Sequence, residues 1–212
     1  MDGELIIGKI PYANCTPIFY FLKKLAGNEK WRYVEGAPSY LNGLLFKGSV
    51  DVSPSSSIEY ARNFENYVLL PELSISSSHE VKSVLIFSKK ELQCLSGRKI
   101  FVTSSSATSY VLMRIIMEEF FGIRPLYEKH TLPAEVALKR YDASLIIGDD
   151  ALKCTLKYKD DFFIYDLGSL WRKFTGLPAV FALWIVNRNS WQMKGQTIRT
   201  LWKLLLQAKV LS

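Results

Sequence analysis

Four short segments of this 212-residue chain concentrate the side chains that could do chemistry. They are Tyr12-Ala13-Asn14-Cys15-Thr16, Ser53-Pro54-Ser55-Ser56-Ser57, the run Ser104-Ser105-Ser106-Ala107-Thr108-Ser109, and Gly148-Asp149. The third lies between an apolar run, Ile100-Phe101-Val102, and the helically spaced Val111, Leu112, Ile115, Ile116 and Phe120. A loop leading from a strand into a helix offers amide donors that have no intrahelical partner, together with the positive end of the helix dipole. An anionic ligand is its natural occupant. The same hydroxyls also cap helices and form turns, and that alternative stays open for each of them. Cys15, Cys94 and Cys154 are widely spaced, with no Cys-x-x-Cys or Cys/His pattern, so no metal site is expected.

These segments punctuate an alternation of strands and helices. Leu5-Ile6-Ile7 reads as a buried strand, and Thr16-Pro17 opens a helix that stops at Gly27. A strand at 31–35, a helix at 40–46 and a strand at 50–52 lead to Ser56-Ser57-Ile58-Glu59, which has capping-box spacing. Strands follow at 67–70 and 81–87, then the 100–121 strand, loop and helix. Further on come a strand at 126–128, a helix at 133–140, a strand at 145–149 ending in a glycine turn, a strand at 162–165, a helix at 170–174 and a strand at 178–186. The last segment is amphipathic, with Ile198, Leu201, Trp202, Leu205 and Ala208 opposite Arg199 and Lys203. It reads as a docked helix, with membrane-surface binding as the alternative. The alternation predicts an α/β fold with largely parallel sheets, whose ligand site lies at the carboxyl ends of the strands.

The net charge of +7 does not indicate a nucleic-acid partner. Seven of the 27 basic residues lie beyond Asp166, the last acidic one, and none of them forms a dense block. No signal-peptide pattern and no uninterrupted apolar stretch of about 18 residues appears, so no membrane partner and a cytoplasmic location are expected.

Seven blocks carry a resemblance: GKIPYANCTP (8–17), GLLFKGSVDVSPSSSIEYAR (43–62), LPELSISS (70–77), VKSVLIFS (81–88), SSATSYVL (105–112), DASLIIGDDAL (142–152) and DLGSLWRKFTGLPAVFALW (166–184). Their colinear order resembles the chorismate dehydratase family of the futalosine route to menaquinone. The resemblance implies a two-lobed type II periplasmic-binding-protein-like fold with a substrate cleft between the lobes. Residues 1–88 would form the first lobe's N-terminal part, 89–178 the inserted second lobe, and 179–212 the return to the first lobe. That return is expected to be short, since the family usually continues for several dozen residues past Ala182-Leu183-Trp184.

The implied reaction is loss of water from chorismate to give 3-[(1-carboxyvinyl)oxy]benzoate, with no cofactor, by a monomer or homodimer. Such an enzyme must hold two carboxylates, take a ring proton and help hydroxide leave. Asn14 is the expected stabiliser of developing negative charge, because a carboxamide donates while staying neutral. The resemblance makes Ser56, Ser83, Ser106, Ala107 and Thr108 carboxylate contacts. Asp149 is a candidate base, although an aspartate after Ile-Ile-Gly also suits the start of a helix. His79 and His130 are expected to lie away from the strand-end loops, and His79 stands where the resemblance leads one to expect glycine. If none of these groups serves as base, a substrate carboxylate could take the proton. Two other classes share the fold: non-catalytic solute-binding proteins, which need export, and 1,4-dihydroxy-6-naphthoate synthase, whose first loop is expected to read Cys-Pro-Asn where this chain has Tyr12-Ala13-Asn14.

Overall fold

In the computed structural model, which describes residues 4–27, 29–104 and 106–212, the chain divides into two packed units, Met1–Ile75 with Ala182–Ser212, and Ser76–Phe181. The first unit runs β1 (Leu5–Lys9), α1 (Thr16–Leu25), β2 (Trp31–Glu35), α2 (Pro38–Phe46), β3 (Val52–Ser56), α3 (Ser57–Asn63) and β4 (Tyr67–Ser77). The second holds β5 (Val84–Ser88), β6 (Lys99–Thr103), α4 (Thr108–Ile115, extended by a π turn over Ile116–Phe120), β7 (Leu126–His130), α5 (Ala134–Arg140), β8 (Ala143–Ile147), α6 (Gly148–Tyr158), β9 (Phe163–Asp166) and α7 (Leu167–Thr175). Strand β10 (Ala179–Asn187) returns to the first unit, and α8 (Arg188–Leu211) completes it.

Each unit is built on one five-stranded sheet, ordered β2-β1-β3-β10-β4 in the first and β7-β6-β8-β5-β9 in the second. Sheets that are largely parallel were expected; both are mixed. β1 pairs in parallel with β2 and β3, and β6 with β7 and β8, whereas β10 runs antiparallel to β3, and β5 antiparallel to β8 and β9. The same pairing assigns Val84–Ser88 to the second unit's sheet, so the structure's division falls after Ile75 and Phe181. The sequence reading groups residues up to 88 with the first lobe and begins the return at 179.

Both sheets are covered on both faces. In the second unit Val84 and Ile86 pack with Ile100, Val102, Met113 and Ile116 on one side, while Leu85 and Phe87 pack with Phe101, Leu138, Ile146 and Ala151 on the other. This two-sided burial explains the continuous apolar runs of the sequence. In the first unit Phe19 and Leu22 of α1 meet Ile198, Leu201, Leu205 and Ala208 of α8, as the amphipathic pattern predicts.

Serine-rich β3 departs from expectation. Residues 53–57 read as a loop, yet all five residues of Val52–Ser56 are buried and paired with β10, from Val52↔Val186 to Ser56↔Ala182. β1 pairs with β3 only at Ile7↔Val52, so beyond it Pro54 occupies an edge position of the kind that tolerates proline. Helix α6 begins at Gly148, where the sequence offers a glycine turn followed by an aspartate suited to a helix start.

A buried carboxylate ties α8 to the first sheet. Asp51 is 3% exposed; its Oδ2 accepts from the Ile6 N–H at 2.7 Å and Lys194 Nζ at 2.8 Å, and its Oδ1 from Ser190 Oγ at 2.6 Å. Lys194 also donates to the Glu4 carbonyl, and its non-helical backbone kinks α8 there. Asp51→Ala would leave a largely buried ammonium without its counter-charge, which typically costs about 3–5 kcal/mol. The urea midpoint should fall accordingly at unchanged slope. An unchanged midpoint would mean that α8 docks through its apolar face alone.

Candidate active site

In the first unit, Asn14 and Ser56 stand at the same end of the sheet, since β1 and β3 are parallel and both residues follow or finish a carboxyl end. Asn14 lies in a one-turn 3-10 helix, Ala13–Cys15, that runs directly into α1. Its side chain is exposed and caps nothing; the N-cap of α1 is Cys15, without a side-chain cap bond. Asn14 is thus not an asparagine cap on the helix opened by Thr16-Pro17. Instead it lines a cavity of about 240 Å³ with Pro17, Phe19, Pro54, Leu73, Trp184 and Lys209 among its walls. Phe19 and Trp184 lie with ring centroids 5.6 Å apart. A neutral donor at an apolar, aromatic-walled cavity can meet a ring substrate and charge that develops on it. Lys209 Nζ is held at 2.7 Å by the Glu72 carbonyl.

Ser56 is the buried N-cap of α3, yet its hydroxyl makes no cap bond, and its N–H donates to Asn42 Oδ1 at 3.4 Å. The capping box expected at Ser56–Glu59 is not formed. Glu59 turns elsewhere and accepts from Asn63 at 2.9 Å and the Tyr67 hydroxyl at 2.6 Å. Burial, with Glu59 beside it, holds the Tyr67 hydroxyl far above its ordinary pKa.

In the second unit the remaining candidates gather at one end of the sheet. Parallel β6 and β8, in register at Val102↔Leu145, end at the Ser104–Thr108 loop and at Gly148-Asp149. Antiparallel β5 begins at that end just after Ser83, whose carbonyl accepts from the Gly148 N–H at 2.7 Å. Gly148 has φ +65°, a conformation that strains any other L residue, which explains the Ile-Ile-Gly signal. Ser106 and Thr108 are 3% and 7% exposed, and the N-cap of α4 is Ala107, whose side chain makes no cap bond. Ser105 lies outside the described residues. Asp149 occupies the first turn of α6, half-buried, where a carboxylate stabilises the helix terminus. The structure thus joins Ser83 to the Gly148-Asp149 turn and places Ser106, Ala107 and Thr108 at the neighbouring strand end.

The histidines are nearer the strand ends than expected. His130 is the last residue of β7; its carbonyl accepts from the Ser104 N–H at 3.0 Å, and its Nε2 lies 3.7 Å from Glu128. His79 is in the connection between β4 and β5. Short apolar content in β7 had ended that strand two residues early. Among the described residues, no group of three or more His, Cys, Asp or Glu side chains could hold a metal ion.

Comparison with known proteins gives this geometry a context. The model of a family described as "Menaquinone biosynthesis" matches residues 5–212. A chorismate dehydratase of Thermus thermophilus is 32% identical over 199 residues, covering 87% of this chain and 70% of the relative. One of Campylobacter jejuni is 34% identical over 182 residues, covering 84% and 66%. The chain thus spans about two thirds of the length of these relatives. A periplasmic aliphatic sulphonate-binding protein of Escherichia coli superposes with a TM-score of 0.64 at 18% identity, covering 97% of this chain and 72% of that one, which shows the two-lobed periplasmic-binding-protein-like fold. The chain belongs to the menaquinone-biosynthesis family.

Cys15 borders the Asn14 cavity but is 4% exposed, and Cys154 is 5% exposed with its thiol pushed up by burial, then by Asp150 and Glu135. Cys94 is exposed. Ellman's reagent should therefore titrate one thiol rapidly in the folded chain and all three in denaturant. Rapid labelling of Cys15 would make it a candidate nucleophile.

Proposed function

We propose that this chain, as a member of that family, is a hydro-lyase that converts chorismate to 3-[(1-carboxyvinyl)oxy]benzoate with no cofactor. The observation that carries the reading is the similarity to two chorismate dehydratases over most of the chain. Chorismate carries two carboxylates and loses one ring hydroxyl and one ring proton as water, leaving an aromatic ring. Aromatisation supplies the driving force, so the protein's work is to orient the dianion and stabilise charge as the proton leaves.

Asn14 donates from its carboxamide to that developing charge. Ser56, Ser83, Ser106, Ala107 and Thr108 take the carboxylates, Ala107 and Thr108 in part through backbone N–H groups at the start of α4, while the Ser106 N–H donates to the Thr103 carbonyl at 3.2 Å. Asp149 takes the ring proton, or a substrate carboxylate does so in its place. The Ser56 hydroxyl makes no cap bond on α3, which supports its assignment, because a hydroxyl committed to capping would be a poorer ligand. No helix among the described residues is long and apolar enough to cross a membrane, and free thiols suit a reducing compartment, so we place the reaction in the cytoplasm.

Purified chain incubated with chorismate should form the aromatic product, followed by ultraviolet absorbance and mass. Asn14→Ala should lower kcat by about ten-fold to a thousand-fold while leaving chorismate binding within a few-fold. Product at a hundred times its Kd should stabilise the fold by about 2.7 kcal/mol, read as a rise in Tm. No turnover and no thermal shift at millimolar chorismate would contradict the reading.

A further inference from the structure

One carboxylate in the second unit makes more bonds than its place in the helix requires. Asp166 ends β9 and caps α7, its Oδ1 accepting from the N–H groups of Gly168 at 2.9 Å and Ser169 at 3.1 Å. Those two bonds complete an ordinary N-cap. The same carboxylate also accepts from the N–H of Val81, at 3.1 Å on Oδ1 and 3.0 Å on Oδ2, and from the N–H of Lys82 at 2.7 Å on Oδ2. These donors are 84 and 85 residues away in sequence and lead straight into Ser83.

The backbone they hold is one that would not hold itself. Lys82 has φ +61°, a left-handed conformation disfavoured for lysine. Its neighbour segment lies so close to α7 that a Cβ on Gly168 would stand 2.6 Å from the His79 carbonyl oxygen and 3.3 Å from the Val81 nitrogen. Past Lys82, Ser83 is gripped on its other side by the Gly148 N–H. Charge-assisted bonds to backbone N–H groups are among the stronger local restraints available to a loop.

We infer that Asp166 is a positioning residue for the reaction: it fixes Val81-Lys82, where the Val81 carbonyl accepts from the Ser83 hydroxyl at 3.4 Å, and so holds Ser83 in place for a substrate carboxylate. The inference rests on the functional reading above for the role of Ser83, and on hydrogen-bond geometry alone for the anchor. A carboxylate that only capped α7 would be replaced by serine with little consequence, since serine is also a good N-cap but is too short to take both distant amides.

Asp166→Ser and Asp166→Asn test it by two readouts. Amide exchange without substrate should accelerate at least ten-fold at Val81 and Lys82 while the α7 amides keep their protection. KM for chorismate should rise about ten-fold with kcat within about three-fold, and adding Ser83→Ala should not multiply that loss, because both changes remove one interaction. Unchanged exchange at Val81 and Lys82 overturns the anchor. Accelerated exchange with unchanged KM, or losses that multiply in the double variant, overturns the positioning role. A wild-type chain that turns over no chorismate overturns the functional reading and with it the role of Ser83, while the exchange rates still decide whether Asp166 is the anchor.

Discussion

Burial of both sheets on both faces governs where polar chemistry can stand in this chain. Successive strand residues point to opposite faces, and here Val84 and Ile86 enter one core while Leu85 and Phe87 enter the other. A polar side chain inside such a strand loses water and must find a partner, at a cost of about 1–3 kcal/mol if it fails. Ser55 and Ser144 accept that condition, their buried hydroxyls lacking a partner in the structure. Polar groups with more to do are displaced to the strand ends, where Asn14, Ser83, Ser106 and Asp149 are found.

Charged and neutral groups divide the labour. Asp51 and Asp166 are spent on scaffolding: one binds α8 to the first sheet, the other binds the Val81-Lys82 backbone to α7. Asn187 does the same with a neutral side chain, capping α8 through Oδ1 while its amide donates to the Leu45 carbonyl at 3.0 Å. Apart from Asp149, the assigned base, the groups assigned to substrate are instead neutral donors. A dianion held by neutral donors needs no compensating cations to be removed when product leaves, and hydroxyl and amide donors can strengthen as charge develops.

Much of this was legible in the sequence, for identifiable reasons. Leu5–Lys9, Thr16–Leu25, Trp31–Glu35 and the docked face of α8 announce themselves by period and by terminal signals such as Thr16-Pro17. The strand-end loops were visible because hydroxyl clusters interrupt apolar runs. The strand read at 50–52 was ended at Val52, short of the Val52–Ser56 span of β3, because serine and proline argue against a strand, and only pairing with β10, a partner more than 120 residues away, overrides them. The sequence reading groups Val84–Ser88 with the first lobe because that run has no local feature that says which sheet it joins. Asp51 and Asp166 were invisible as anchors, since an aspartate's distant partners leave no trace in local spacing; only the local cap Asp166-Leu-Gly-Ser had a readable pattern.

Backbone amide spectra of the isotopically labelled chain, titrated with 3-[(1-carboxyvinyl)oxy]benzoate, test most directly whether these strand ends hold a carboxylate ligand. The account predicts saturable shifts concentrated at Ser106, Ala107 and Thr108 and at Asn14, with the Ser83 amide following them to the same Kd. Shifts confined to other surfaces, or none at millimolar ligand, would contradict it.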